Sequence, residues 1–263
     1  MTIDFHTHCF PEKIANRALD NLSFVSGGLK YYTDGTVESL ISVSEKQGTE
    51  KCVVLNIATN EKQQENVNNF AAEINKRENI IAFGSIYPKA ENAIYEIERI
   101  KSLGLKGIKL HPEYQNFFVD DEMMKPIYKK ISQLGLILVF HSGFDCAYQM
   151  PFHCMPDNLL NALKWIDTPV VAAHWGASGC GEEVIEKLCG KDLYFDTSFG
   201  YSHMPKSVAQ RIIEKHGTDK ILFGTDAPWS TANREKRLLD TLELSETDLA
   251  NIYEKNALKL LEL

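Results

Sequence analysis

The sequence predicts a (β/α)8 barrel, the TIM-barrel fold, built as one domain over residues 1–263. Eight short apolar segments alternate with helical patterns along the chain, and this length is normal for one such barrel. Polar side chains stand at the ends of most of these segments. An open doubly wound sheet would concentrate such groups at one switch point, so their wide distribution favours a closed ring of strands.

The predicted strands are short, rich in β-branched or aromatic residues, and bounded by Gly, Pro, Asp or Asn. Several are apolar at nearly every position, as expected where both faces of a parallel strand are covered. They are Ile3–His8, Lys51–Ile57, Ile80–Tyr87, Leu105–His111, Gly135–His141, Val170–His174, Leu193–Ser198 and Lys220–Asp226.

Helical windows separate several of these strands. Thr36–Gln47 places its apolar residues largely on one face, and Ile94–Leu103 repeats isoleucine at a spacing of three. Asp121–Leu134 begins with acidic residues, Pro205–His216 begins with proline, and both end immediately before a glycine. These are the usual residues at the start and the end of helices.

The composition excludes several classes of function. The chain has 36 acidic and 28 basic side chains, and a net charge of −8 argues against a nucleic-acid surface. No apolar run reaches the roughly 18 residues of a membrane-spanning helix, and the N-terminus lacks a signal-peptide pattern. We therefore expect a cytoplasmic protein with a small-molecule substrate and neither a nucleic-acid nor a membrane partner. The sequence is also compatible with a homo-oligomer.

His6 and His8 end the first predicted strand. Side chains two residues apart in a strand point to the same face, so both imidazoles could reach one metal at about 2.0–2.1 Å. Two unrelated core histidines would give the same pattern. The pair alone therefore does not decide between a metal site and packing.

Three further polar residues end apolar strands in the same way. They are His141 after LILVF, His174 after VVAA and Asp226 after ILFGT. A buried imidazole or carboxylate without a partner is costly, and one shared divalent metal would satisfy all five groups together. Imidazole and carboxylate ligands suit zinc, manganese or iron. Three histidines and an aspartate, with a position left for water, are typical of an open catalytic site.

Several motifs together resemble the amidohydrolase superfamily. They are the H-x-H pair, the later histidines, the aspartate, and the segments GIKLHP, HSG, AHWG, YFDTS and FGTDAPW. The segments are similar to the amidohydrolase-related branch that includes aminocarboxymuconate-semialdehyde decarboxylase. That branch contains hydrolases, decarboxylases and hydratases. The resemblance is therefore more specific for the superfamily than for the reaction.

The resemblance implies roles for individual residues. It makes His6, His8, His141 and Asp226 the ligands of one divalent metal, for which zinc is favoured over manganese or iron. His174 would be the general acid or base, or would polarise the substrate. Asp226 would also take part in catalysis by accepting a proton from water.

Lys109 and His111 lie in the fourth predicted strand with the same parity, so both could face the barrel interior. Relatives similar to dihydroorotase carry a carboxylated lysine in this setting that bridges two metals. Lys109 could be such a bridge, an unmodified cation that meets an acidic substrate, or a buried structural ammonium. We favour the unmodified lysine in the pocket, and His111 is an additional candidate for substrate binding.

Asp196, Trp175 and Trp229 are candidates with weaker signals. Asp196 is predicted to accept a hydrogen bond that orients His174, although a purely structural hydrogen bond explains it equally well. The two tryptophans follow His174 and Asp226 and are candidates for substrate contacts. Aromatic residues beside a barrel mouth also pack without any such role.

These residues predict a hydrolase that activates water at one divalent metal and cleaves an amide, a lactone or a related C–N or C–O bond. The alternative is a metal-dependent non-oxidative decarboxylase, or a hydratase, of an unsaturated or aromatic acid. A non-catalytic binding protein is a third hypothesis, which the intact ligand set disfavours. Specificity is expected in the loops Phe10–Thr36 and Phe144–Pro156.

Overall fold

The computed structural model describes residues 1–263 and contains eight parallel strands in chain order. Hydrogen bonds group them into a three-stranded sheet, β1 to β3, and a five-stranded sheet, β4 to β8. The strands are β1 (Ile3–Thr7), β2 (Lys51–Leu55), β3 (Ile80–Phe83), β4 (Gly107–Leu110), β5 (Ile137–Phe140), β6 (Val170–Ala172), β7 (Tyr194–Asp196) and β8 (Ile221–Leu222).

Backbone contacts just beyond the regular strands join the two sheets. Between β3 and β4, Gly84 donates to the carbonyl of Gly107 at 2.9 Å and accepts from Lys109 at 2.9 Å. Packing is tight here, because a Cβ added at Gly107 would lie 2.2 Å from Cε2 of Phe83. Glycine is therefore the residue that lets β3 and β4 approach.

The second seam joins the ends of the chain. Phe5 in β1 donates its N–H to the carbonyl of Phe223 at 2.7 Å, and Asp226 donates to the carbonyl of His6 at 2.8 Å. Together the two seams close the ring, so the structure is the predicted (β/α)8 barrel.

Helices cover the outside of the ring. Several of them lie outside the helical windows that the sequence predicted, among them Glu12–Val25, Gln64–Ile74 and Ala232–Leu239. Short 3-10 turns lie at Glu61–Gln63 and Leu163–Trp165, and π-helical turns at Val184–Leu188 and Asn251–Lys255. The α-helices are α1 (Glu12–Val25), α2 (Val37–Lys46), α3 (Gln64–Ile74), α4 (Ala93–Ser102), α5 (Pro112–Gln115), α6 (Met124–Gln133), α7 (Pro156–Ala162), α8 (Gly181–Glu183), α9 (Gly200–His203), α10 (Lys206–His216), α11 (Ala232–Leu239), α12 (Glu246–Ala250) and α13 (Asn256–Leu261).

Two apolar clusters hold the barrel together. The larger one lies between the outward faces of the strands and the helices, and the smaller one fills the barrel interior below the site. Leu260 of α13 joins the interior cluster, and Asn256 donates to the carbonyls of Thr218 and Ile221 at 2.7 Å. The last helix therefore closes the bottom of the barrel. None of the helices has the length and the apolar content needed to cross a bilayer.

An irregular register in β1 determines which of its side chains face inward. The pairing with β2 shifts between Asp4 and Thr7, as in a β-bulge. Phe5 packs in the interior cluster, and the imidazole of its neighbour His6 also points into the barrel, where it meets Asp196 of β7. A regular strand would place these adjacent side chains on opposite faces.

Candidate metal centre and active site

The candidate site lies at the C-terminal ends of the strands, where the backbone turns sharply. His174 follows β6 with a φ of 60°, and Asp226 follows β8 with a φ of 64°. Left-handed backbone is uncommon for residues other than glycine and costs about 1–3 kcal/mol where it occurs. Hydrogen bonds hold both turns, including the 3.0 Å bond from the His174 N–H to Asp196 Oδ1.

Three ligand atoms converge at the end of β1. His6 Nε2 lies 3.2 Å from His8 Nε2 and 3.4 Å from Asp226 Oδ1, and His8 Nε2 lies 3.1 Å from the same oxygen. Ligands about 2.0–2.1 Å from one metal ion lie roughly 2.8–3.0 Å from each other in octahedral geometry and roughly 3.3–3.4 Å in tetrahedral geometry. The spacing of these atoms therefore fits a divalent cation.

The outer nitrogens of both histidines are held by acceptors. His8 Nδ1 lies 2.8 Å from the carbonyl oxygen of Leu55, and His6 Nδ1 lies 2.8 Å from Asp196 Oδ2. A carbonyl and a carboxylate only accept hydrogen bonds, so each Nδ1 carries the proton. Each Nε2 then presents a lone pair to the cluster, as a metal ligand must.

His174 is held in the same way through a serine. Its Nδ1 lies 2.8 Å from Ser198 Oγ, and Ser198 donates its own hydroxyl proton to Asp196. The His174 Nδ1–H therefore donates to Ser198 and leaves the Nε2 lone pair facing His141 Nδ1 at 3.1 Å. Both imidazoles are buried.

His141 is separated from the three converging ligands. The atoms of His6, His8 and Asp226 lie within 4.8 Å of one another, whereas His141 groups with His111 and Asp145. Its ring packs against that of His174 with the centroids 4.8 Å apart. Its assignment as the fourth ligand stays a prediction.

Burial and neighbouring charges shift the pKa values of the site. Burial, together with the nearby Lys109 ammonium, lowers the pKa of His6 to about 3. Burial alone would raise the pKa of Asp226, whereas positive charge beside the carboxylate lowers it to about 2. Burial also lowers the pKa of His174. Near neutral pH, His6 and His174 are therefore neutral and Asp226 is ionised.

Lys109 is the one fully buried cation of the site. Its side chain is 1% exposed, and its Nζ lies 3.4 Å from His6 Nε2 without a carboxylate in ion-pair contact. Burial lowers its pKa to about 8, against the opposing effects of Asp196 and Asp226. An anion is the partner that this ammonium lacks.

His111 lies on the far side of His141, and the two rings stack at 4.1 Å with 14° between their planes. The other face of His111 stacks on Tyr114 at 3.8 Å. Asp145, in the loop after β5, completes this group and lies 3.4 Å from His111 Nε2. Sequence reasoning missed Tyr114 and Asp145 as members of the site, although Asp145 follows His141 by four residues.

The structure places the other sequence candidates as follows. Asp196 orients the ring of His6 directly, while it holds His174 through the backbone N–H and through Ser198. Trp175 is 1% exposed, and its Nε1 donates to the carbonyl of Thr197 at 3.0 Å, so core packing accounts for it. Trp229 is half-buried, with its ring edge-on to Tyr31.

Asp4 is a further residue that the sequence analysis did not identify. Its carboxylate accepts from the N–H of His6 at 3.1 Å, and from the N–H and the hydroxyl of Thr225 at 3.0 and 2.6 Å. Burial raises the pKa of Asp4 to about 7. Its contacts tie the segment that carries His6 to the segment that carries Asp226.

The closed barrel and the convergent imidazole and carboxylate groups define a class of protein, the metal-dependent barrel enzymes. The particular family follows from comparison with known sequences. The family model described as Amidohydrolase matches residues 3–263, so the chain belongs to that family and is a metal-dependent enzyme of amidohydrolase type. A comparison with curated proteins found no match.

Solved structures share the fold at low sequence identity. An uncharacterised TIM-barrel protein from Bordetella bronchiseptica is 18% identical, with a TM-score of 0.79 over 99% of this chain and 98% of that one. A 2,6-dihydroxybenzoate decarboxylase from Rhizobium is 14% identical, with a TM-score of 0.75 over 99% and 98%. A dihydroxybenzoic acid decarboxylase from a Polaromonas species, with bound manganese and the inhibitor 2-nitroresorcinol, is 15% identical, with a TM-score of 0.73 over 100% and 97%.

Proposed function

We propose that the protein is a hydrolase that cleaves an amide, a lactone or a related C–N or C–O bond of a small molecule. The observation that carries this proposal is the direction of the site's hydrogen bonds. His6, His8 and His174 donate their Nδ1 protons outward and present bare Nε2 atoms inward, beside the Asp226 carboxylate. Hydrolysis begins with removal of a proton from water, and the Asp226 carboxylate and His174 Nε2 would remain as proton acceptors once His6 and His8 bind a cation.

His6, His8 and Asp226 would hold a divalent cation, with His141 as the proposed fourth ligand. The spacing of the first three donors supports this assignment, and their chemistry suits zinc, with manganese and iron as alternatives. A bound divalent metal would supply Lewis-acid polarisation of the substrate carbonyl and a lowered pKa for water.

Asp226 and His174 would move the proton during the reaction. Asp226 Oδ1 lies 3.1 Å from His8 Nε2 and is positioned to accept the proton that the attacking water loses. His174 Nε2 is also unprotonated, and it would receive a proton and return it to the leaving group. Ser198 and Asp196 would hold the Nδ1 side of His174 and stabilise its protonated form.

Lys109 indicates that the substrate carries an anionic group. Its buried ammonium has no carboxylate partner in the protein, and a substrate carboxylate would provide one. The hydrolase substrate is therefore proposed to be a small carboxylic acid derivative. An unmodified lysine is needed for this role.

The same lysine favours a second candidate reaction, non-oxidative decarboxylation of an unsaturated or aromatic acid. Solved structures of the same fold include decarboxylases of dihydroxybenzoic acids. In this reaction the bond between carbon and carboxylate breaks, and a proton from His174 or Asp226 replaces the released carbon dioxide. Without substrate, the site has few proton donors for that last step. We therefore favour hydrolysis over decarboxylation.

A substrate panel in ¹⁸O-labelled water separates the two reactions. Small lactones, amides and aromatic acids are incubated with protein loaded with zinc or manganese, and the products are analysed by mass spectrometry. Hydrolysis incorporates one ¹⁸O atom, whereas decarboxylation releases carbon dioxide and incorporates none into the organic product. Turnover that persists in His6→Ala and Asp226→Asn variants would contradict both candidates.

A further inference from the structure

Asp145 occupies a position that the proposed reaction leaves unexplained. It lies in the loop after β5, and its side chain is 8% exposed. Its Oδ2 lies 3.4 Å from His111 Nε2 and 3.8 Å from His141 Nε2. Its Oδ1 accepts from the N–H of Ala147 at 2.8 Å, which holds the carboxylate against the two stacked imidazoles.

The ring of His141 explains why a carboxylate is needed there. Its Nδ1 faces His174 Nε2, whereas its buried Nε2 has no hydrogen-bond partner. An unpaired buried polar atom costs about 1–3 kcal/mol. Asp145 is the carboxylate nearest this nitrogen, and a shift of a few tenths of an ångström would bring it to hydrogen-bond distance.

His111 shows that this group is unsuited to hold a cation of its own. His111 Nδ1 accepts the N–H of Tyr114 at 3.5 Å, so the proton of the neutral ring is on Nε2. A protonated Nε2 faces Asp145 Oδ2 at 3.4 Å and has no lone pair for a metal. In this group His111 is therefore a donor beside an acceptor carboxylate and not a metal ligand.

We propose that Asp145 is a positioning residue that accepts the Nε2–H of His141 and of His111. Without a metal, the contact with the bare Nε2 of His174 at 3.1 Å favours a proton on His141 Nδ1. Asp145 would oppose this by holding the proton on Nε2, which leaves the Nδ1 lone pair of His141 available to the metal centre. This inference rests on the proposed function, because it assumes that His141 is a metal ligand. It further assigns Nδ1 as the ligating nitrogen.

Substitution of Asp145 by Asn tests this role through metal binding. Affinity of the purified protein for Zn²⁺ is measured by competition with a chromophoric chelator, and the Co²⁺-loaded protein is examined by its visible absorption spectrum. Loss of an acceptor that orients a ligand typically weakens metal binding 10–100-fold. We expect Asp145→Asn to show a loss in this range and a changed Co²⁺ spectrum. Asp145→Ser, too short to reach the rings, provides a second variant if the first does not fold.

Asp157→Asn is the matched control, because Asp157 is an exposed carboxylate that pairs with Lys187 at 2.8 Å. It should bind both metals as the unaltered protein does. His6→Ala separates the two proposals, since it should lose the metal if the proposed centre exists. Metal loss in His6→Ala together with unchanged affinity and spectrum in Asp145→Asn would overturn the role of Asp145 alone. Full affinity in His6→Ala would overturn the proposed metal centre.

Discussion

Substitution of Asp196 by Asn tests the tautomer argument on which the candidate metal centre depends. The Asp196 carboxylate accepts from His6 Nδ1, from two backbone N–H groups and from the hydroxyl of Ser198. Asparagine retains one side-chain oxygen, which can still accept the hydrogen bonds from the two backbone N–H groups and from Ser198. Its amide nitrogen would then take the place of Oδ2, opposite His6.

The expected size of the effect follows from these contacts. An amide N–H opposite His6 Nδ1 favours a bare Nδ1 and a protonated Nε2, which removes the lone pair from the cluster. Restoring the ligating tautomer then costs one buried hydrogen bond, about 1–3 kcal/mol. Each 1.4 kcal/mol corresponds to a factor of ten, so Zn²⁺ affinity should fall by roughly 5–150-fold.

Zinc affinity by chelator competition measures this change, and far-ultraviolet circular dichroism reports whether the barrel remains folded. The reasoning predicts that Asp196→Asn weakens binding while the circular dichroism spectrum is preserved. If a folded Asp196→Asn protein bound Zn²⁺ within about threefold of the unaltered affinity, the assigned tautomer of His6 would be wrong.

Three further predictions address catalysis, pH dependence and packing. His174→Asn should lower turnover by about 10²–10⁴-fold while retaining at least part of the bound metal, as metal analysis and rate assays would show; unchanged turnover would leave His174 a structural role. Burial raises the pKa of Glu235 from 4.5 to about 7. Its folded form holds the proton more tightly, so the contribution of Glu235 to stability is greatest below pH 4.5 and falls by on the order of 3 kcal/mol as pH rises from 4.5 through 7. Glu235→Gln should lack that loss in urea denaturation from pH 4.5 to 8, and parallel profiles would refute it. Gly107→Ala should lower the free energy of unfolding by about 1–3 kcal/mol, since its Cβ would lie 2.2 Å from the ring of Phe83; an unchanged urea midpoint would show that the seam can relax.

The barrel was predictable because its strands are apolar on both faces and are followed by polar residues. The observed strands all lie within the predicted segments, but each ends before its last predicted residue. Residues such as His174 and Asp226 follow the strands rather than belong to them, because the backbone turns out of the sheet there. Periodicity indicates which residues are buried and does not show where hydrogen bonding stops.

The contacts within the site were less predictable. Strand parity correctly placed Lys109 inside the barrel, but the inward turn of His6 depends on an irregular register in β1 that no residue pattern reports. Helix α1 was missed although its sequence carries a helical period, since its buried residues Ala15 and Leu19 lie four residues apart. Asp145 belongs to a loop whose path depends on packing, so only the structure brings it beside His111.

The candidate metal centre lies where β8 meets β1, so a bound metal would also affect the stability of the barrel. His6 and Asp226 lie near opposite ends of the chain and meet only where the ring closes, at the bond from the Asp226 N–H to the His6 carbonyl. A cation bound by both residues would link the first and last strands of the barrel at this point. At a free concentration one hundred times its dissociation constant, such a ligand adds about 2.7 kcal/mol against any opening that separates its ligands. The proposed metal would then protect the first and last strands of the barrel from opening.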